Sequence, residues 1–153
     1  MTWKPNVTVA AVIEKDGRFL FVEERSGSDI VINQPAGHVE PGESLLEAVA
    51  RETLEETGHH FVPEKLVGVY YWHAQRKGIT YMRFTFTGRL TGHEPSRPLD
   101  QGILRAVWLT PDRLAADAAR HRSPIVTRCV EDYLAGKRYP LELVTTLSLG
   151  KQP

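Results

Sequence analysis

The stretch GHVEPGESLLEAVARETLEETG, residues 37 to 58, constrains this chain more than any other. It reads as a loop containing glycine and proline that feeds a short helix. Ser44 and Glu47 fit a capping box at the helix start, and Gly58 is a natural terminator at its end. Glu52, Glu55 and Glu56 crowd the last turn, where the helix dipole is negative. Exposed acids at that end cost about 0.3–1 kcal/mol each. A bound divalent cation reverses the sign of that cost. By helical spacing, Leu46, Val49, Ala50, Thr53 and Thr57 share a face that can pack on a sheet. Glu52 and Glu56 stand one turn apart on its flank, with Glu55 further round the same polar arc, so the three carboxylates can enter one cleft.

A donor set made only of oxygen favours Mg²⁺, with Mn²⁺ as a substitute, over Zn²⁺. Such ions bridge a pyrophosphate, neutralise its charge and lower the pKa of an attacking water. Gly37 lets backbone approach closely, and its carbonyl can complete a coordination shell. Arg51 is spaced to pair with Glu47 and Glu55. The histidines at 38, 59, 60, 73, 93 and 121 show neither HxxxH nor HExxH spacing, which argues against zinc.

The length of 153 residues suits one domain with a real core. Formal net charge is zero, so nothing steers the chain broadly toward nucleic acid or anionic lipid. The single cysteine, Cys129, cannot form an internal disulfide; it fits a reducing compartment and reads as a packing residue within a helical apolar pattern. Near the start, the apolar run from Val7 to Ile13 is too short to span a bilayer and lacks a cleavage-site pattern, so a cytoplasmic protein is expected.

Val7 to Ile13, Arg18 to Glu24, Ile30 to Asn33, Leu66 to His73, Ile79 to Leu90 and Leu104 to Leu109 read as strands. Turns are expected at Lys15-Asp16-Gly17 and Arg76-Lys77-Gly78, and residues Gln34 to Glu43 as a loop. Thr91 to Gly102 is a polar connection long enough to be a lid. Thr110-Pro111 and Ser123-Pro124 each open a helix, and Gly136 ends the last. Strands and helices in this order predict an α/β domain with helices on both faces of a mixed sheet.

Gly37, five residues, Glu43, seven residues, Arg51-Glu52, then Glu55-Glu56 and Gly58 match the Nudix box, here residues 37 to 59. Thr53 and His59 stand where the box prefers bulky aliphatics. The segments NVTVAAV, NQPAGHVEPGESLLEA and GKRYPLE further resemble the bacterial Nudix phosphatases of the NudJ type. The resemblance implies a single Nudix domain over residues 1 to 153, an α/β/α sandwich around a central mixed sheet. It implies Mg²⁺-dependent hydrolysis of nucleoside tri- and diphosphates and of thiamine-pathway pyrophosphates (thiamine pyrophosphate and hydroxymethylpyrimidine pyrophosphate), with release of phosphate. Carried over by position, Glu52 and Glu56 would be the main metal ligands, Glu55 a further ligand or the base for water, and the Gly37 carbonyl part of the shell. Glu43 and Arg51 would orient the helix carboxylates. Many family members carry another acid in the loop before the strand that ends in Trp; here Gly102 stands there, and Asp100 is the nearest replacement.

Other residues suggest substrate contacts. Trp72 and Tyr81 sit on strands and can stack a pyrimidine ring. Arg83, amid apolar neighbours in YMRFTF, needs an acceptor, either a substrate phosphate or Glu23. Asn6 and Gln34 flank the expected pocket, and Arg138 and Tyr139 fall in the segment GKRYPLE. Trp3 and Trp108 are expected to pack. The expected partner is a small phosphoanhydride, with neither nucleic acid nor membrane involved, for a monomer or homodimer. One alternative is a Nudix pyrophosphatase of nucleoside diphosphate derivatives such as ADP-ribose, although Ala74 and Gln75 occupy the region where many such enzymes carry a proline. Another is a non-catalytic nucleotide-sensing domain, which would have no need to keep the box acids.

Overall fold

The computed structural model describes residues 2–150; residue 1 and residues 151–153 lie outside that range. In chain order the elements are β1 (Asn6–Val12), β2 (Glu14–Lys15), β3 (Arg18–Ser26), β4 (Asp29–Asn33), β5 (Ala36–His38), α1 (Leu45–Thr57), β6 (His59–Ala74), β7 (Ile79–His93), β8 (Ile103–Leu109), α2 (Pro111–Ala116) and α3 (Ile125–Leu134), with short 3₁₀ turns at Ala118–Arg120 and Leu141–Leu143.

β1 organises the rest, because both of its faces are buried. Val9, Ala11 and the following Ile13 point to one side, against Ala48 and Val49 of α1 and Phe86 of β7. Val12 points to the other, against Ile125, Val126, Cys129 and Val130 of α3 and Leu114 of α2. A strand buried on both faces reads as a continuous apolar run, as NVTVAAV does. β7 lies parallel to β1, while β5 and β6 close the sheet antiparallel on either side, in the order β5-β1-β7-β6. The expected mixed sheet with helices on both faces is therefore present. The remaining strands form a second, antiparallel sheet centred on β3, which pairs with β2, β4 and β8. Both edges of β1 are taken by β5 and β7, so β3 finds its partners elsewhere.

Several expectations shift. The loop over Gln34 to Glu43 contains β5, because Ala36, Gly37 and His38 pair with Ala10, Val9 and Thr8. β6 begins at His59 and passes Pro63 with register irregularities on both sides, which hid its first half from pattern reading. The connection after β7 is tied to the end of α1: Glu94 N–H donates to the Gly58 carbonyl (2.8 Å) and Asp100 N–H to the Glu55 carbonyl (2.9 Å). Trp3, expected to pack, is 63% exposed, because strand pairing begins only at Asn6. Trp108 does pack against the α1-side core, and Cys129 is fully buried, as expected.

Candidate active site

Helix α1 is held at both ends. Ser44 Oγ accepts from Glu47 N–H while Glu47 accepts from Ser44 N–H, and Gly58 N–H donates to the Leu54 carbonyl. Its buried face is rotated from the expected one. Leu46 is exposed, Ala50 is half-buried, and the buried set is Ala48, Val49, Glu52, Thr53, Glu56 and Thr57. The hydroxyls of Thr53 and Thr57 donate to the carbonyls of Val49 and Thr53 (2.7 and 2.6 Å). Bonded in this way, threonine can stand at a buried position where an aliphatic is usual. The rotation turns Glu52 and Glu56 inward rather than to solvent.

Arg51 is the hub of the acidic end. Its guanidinium donates to both carboxylate oxygens of Glu43 (2.6 and 2.9 Å), to Glu52 (2.8 Å), to Glu55 (3.2 Å) and to the His38 carbonyl (3.0 Å). The bidentate pair with Arg51 holds the Glu43 carboxyl below its ordinary range. Gly37 presses against Glu52; a Cβ at residue 37 would overlap the Glu52 carboxylate. A side chain there would displace the very group the loop surrounds.

Burial pushes the Glu52 carboxyl up to about 7, against the pull of Arg51 and with the push of Glu55 and Asp100. Burial likewise pushes Glu56 up to about 9, opposed by the Ala36 N–H it accepts (2.9 Å) and reinforced by Glu52, Glu24 and Asp100. This is a group of desolvated acids whose mutual repulsion is relieved only in part by one arginine. Glu52, Glu55 and Asp100 each offer an oxygen, and these oxygens lie within 4.8 Å of one another. Opposite ligands of an octahedral Mg²⁺ stand about 4.2 Å apart, so a small contraction would seat one. Hard oxygen donors, unrelieved repulsion and a backbone pressed against one carboxylate all fit a divalent cation.

Asp100, rather than residue 102, carries the additional acid to the cluster. Gly102 has φ +91, a left-handed conformation that disfavours any other residue, and its carbonyl accepts from Arg25 N–H (2.8 Å).

The acids open into a cavity of about 830 Å³, lined among others by Thr8, Glu24, Asn33, Gly37, Glu52 and Glu56. Trp72 and Tyr81 form another wall, with rings stacked at 6.0 Å and 18°. Arg83 also lines the cavity but is only 7% exposed. Its guanidinium donates to the side-chain oxygens of Gln34 (3.2 Å) and Asn33 (3.1 Å), both neutral. Glu23 is not its acceptor; that carboxylate is taken by Arg105 and Arg120. Burial pulls the Arg83 pKa down, against the opposing influence of Cys129, Glu24 and Glu56.

The other expected contacts fall differently. Gln34 is 1% exposed and sits behind the wall, donating to the Val126 carbonyl while it holds Arg83. Asn6 Nδ2 donates to His38 Nε2 (3.4 Å) at the rim. Tyr139 lies in a neighbouring groove, with backbone bonds to Leu66, and Arg138 stacks on Tyr133. Pattern reading missed Glu24, Asn33 and Arg122. Glu24 was detectable: on β3 it shares the face of Leu20, which packs toward α1, and Arg122 pairs with it (3.1 Å). Arg122 comes from an irregular loop and gave no signal.

A family model described as the NUDIX domain matches residues 2–129. The chain belongs to the Nudix family. It is 39% identical over 142 residues to the phosphatase NudJ of Escherichia coli K12, across 93% of this chain and 92% of that protein. NudJ of Shigella flexneri matches to the same extent. Among solved structures, a NUDIX hydrolase from Nitrosomonas europaea superposes with TM-score 0.93 at 54% identity, covering 97% of this chain and 100% of that one. A MutT NUDIX hydrolase from Burkholderia pseudomallei, 22% identical, shares the fold with TM-score 0.72 over 85% of this chain and 98% of its own. The protein is thus a Nudix hydrolase related to the NudJ phosphatases. Among the described residues no helix is long and apolar enough to cross a membrane.

Proposed function

We propose that the protein hydrolyses phosphoanhydride bonds of nucleoside tri- and diphosphates and of thiamine-pathway pyrophosphates, with Mg²⁺ and with release of phosphate, and that residues 1 to 153 act as one domain. The observation that carries the reading is the convergence of Glu52, Glu55 and Asp100 oxygens within 4.8 Å of one another, with Glu52 lining a cavity of about 830 Å³. Similarity to proteins named phosphatase NudJ supports the release of phosphate.

In this reading Glu52, Glu56, Glu55 and the Gly37 carbonyl would hold the metal, with Asp100 beside Glu52 and Glu55. A divalent ion bound there neutralises phosphate charge and acidifies water. Arg51 fixes the rotamers of Glu52 and Glu55, and Glu43 fixes Arg51 from behind. Glu55 or Glu56 accepts the proton of the attacking water. Arg83, immobilised by Asn33 and Gln34, presents a positive charge to the substrate phosphate. Trp72 and Tyr81 offer an aromatic wall to the ring.

The test is a phosphate-release screen over nucleoside di- and triphosphates, thiamine pyrophosphate and ADP-ribose, with Mg²⁺ and with chelator. Orthophosphate from the first three sets, lost on chelation, is the expected result. AMP with ribose phosphate from ADP-ribose as the dominant products, or turnover unaffected by chelator, would overturn it.

A further inference from the structure

Glu23 and Glu24 are neighbours on β3 and are paired in different ways. Glu23 has both carboxylate oxygens taken, one by Arg105 and one by Arg120. Glu24 lines the cavity and has one ion-pair partner among the described residues, Arg122, at 3.1 Å. Arg122 lines the cavity too, and its side chain is 33% exposed. A partly exposed pair with a single contact is weakly held.

The backbone of Arg122, by contrast, is fixed. Its N–H donates to the Ile32 carbonyl (2.9 Å), next to the bridge between Ile32 and His121. The His121 ring is held on both sides. Its Nε2 donates to the Leu114 carbonyl (2.8 Å), which can only accept, and in the neutral ring Nδ1 then accepts from the Thr127 hydroxyl (3.1 Å). The Ile32 carbonyl belongs to the peptide that leads into Asn33, whose side chain orients Arg83 (3.1 Å). Arg122 is thus anchored beside the residue that holds the other arginine of this wall. Glu24 in turn acts electrostatically on both Arg83 and Glu56, so the pair lies close to the buried guanidinium and to the acids of α1.

A long cation on a fixed backbone, resting on one carboxylate oxygen, is placed to exchange that oxygen for a stronger anion. We infer that Arg122 is a substrate-binding residue, which leaves Glu24 and binds a phosphate of the phosphoanhydride together with Arg83. A guanidinium can offer a phosphate two parallel N–H bonds, against the one it makes to Glu24. Glu24 holds the side chain at the wall until then and is a positioning residue. The inference rests on the reading of this cavity as the phosphoanhydride site and adds a residue to it.

Methylenediphosphonate, a pyrophosphate analogue with no hydrolysable bridge and no ring, separates this inference from catalysis and from ring recognition. It is titrated calorimetrically with Mg²⁺ into the wild type, R122M and E24Q, and Mg²⁺ alone is titrated into the same proteins. R122M keeps the backbone bond and much of the side-chain length. It should bind the analogue at least about fivefold more weakly and Mg²⁺ alone no more weakly than the wild type does. E24Q breaks the same ion pair but frees Arg122, and should bind the analogue as tightly as the wild type or up to about threefold more tightly. Melting temperatures of the two variants should agree, since each removes one side of the same pair. A smaller loss in R122M overturns the inference. A weakening of more than about twofold in E24Q assigns the effect to the broken pair and also overturns it. So does a matching loss of Mg²⁺ affinity in R122M. Failure of the wild type to release phosphate from nucleoside diphosphates would instead sink the catalytic reading and leave these titrations valid.

Discussion

Replacing Glu56 by glutamine separates stability from function, and the structure sets the size of the effect. Glu56 is buried on the inward face of α1, and its carboxyl accepts Ala36 N–H at 2.9 Å, a bond that a glutamine oxygen preserves. Its pKa is about 9 in the fold against an ordinary 4.5. A folded-state value raised in this way gives stability that is full below the unfolded pKa and is lost as pH rises toward the folded one. At pH 7.5 the unfolded chain has ionised this acid and the folded chain has not. At about 1.4 kcal/mol per pH unit over about three units, the ceiling is about 4 kcal/mol, and water entry reduces it to about 2. Glutamine does not titrate. Without metal, E56Q should therefore melt close to the wild type at about pH 5 and about 4–8 °C higher at about pH 8, the shift that about 2 kcal/mol produces in a domain of this size. Mg²⁺ should stabilise the wild type increasingly as pH rises, because it competes with protons for the same oxygens, and should do little for E56Q. Phosphate release by E56Q should fall at least about a hundredfold. The assay is a set of thermal melts from pH 5 to 8, with chelator and with Mg²⁺, beside the turnover measurement. Parallel melting curves for the two proteins across that range in chelator would refute the account of Glu56 as an acid strained for want of a cation.

Three further outcomes are expected. Gly37→Ala places a methyl group onto the Glu52 carboxylate and should lower Mg²⁺ affinity, read by calorimetry, about tenfold or more while circular dichroism stays unchanged. Arg51→Lys keeps the charge but loses the fork that grips Glu43, so turnover should fall about tenfold to a hundredfold with a smaller change in KM. Glu23, lowered on balance by Arg120 and Arg105 against its own burial, adds stability that is present above its unfolded value of about 4.5 and is lost as pH falls through its folded value. Melts of Glu23→Gln against wild type should therefore stay apart above the unfolded value and draw together as pH falls below it, with activity per folded molecule unchanged.

How much of this was legible in the residues depended on the kind of signal each element carries. Helix α1 was legible because its caps, its acids and its terminating glycine are local, and local signals need no tertiary partner to be read. Its rotation was not: helical spacing placed Thr53 and Thr57 correctly on the packed face but added Leu46 and Ala50 to it and left Glu52 and Glu56 on a polar flank, whereas the fold buries both acids, with the guanidinium of Arg51 on Glu52 and the Ala36 N–H on Glu56. The strands of the mixed sheet announced themselves as apolar runs, yet β5 did not, since three residues of loop composition become a strand only when the edge of β1 is open to them. The same contrast holds within the site. The acids at 52, 55 and 56 share one turn of helix, whereas Asp100 arrives through a backbone bond to the Glu55 carbonyl and Glu24 through the alternation of a strand in the other sheet. Arg83 shows the limit most sharply. Its sequence neighbours declared a cation that must be satisfied, but only the fold shows that satisfaction comes from two neutral amides rather than from Glu23. Amides orient a guanidinium without neutralising it, so Arg83 keeps its charge at the cavity wall, balanced only from a distance by Glu24 and Glu56 and open to a bound anion.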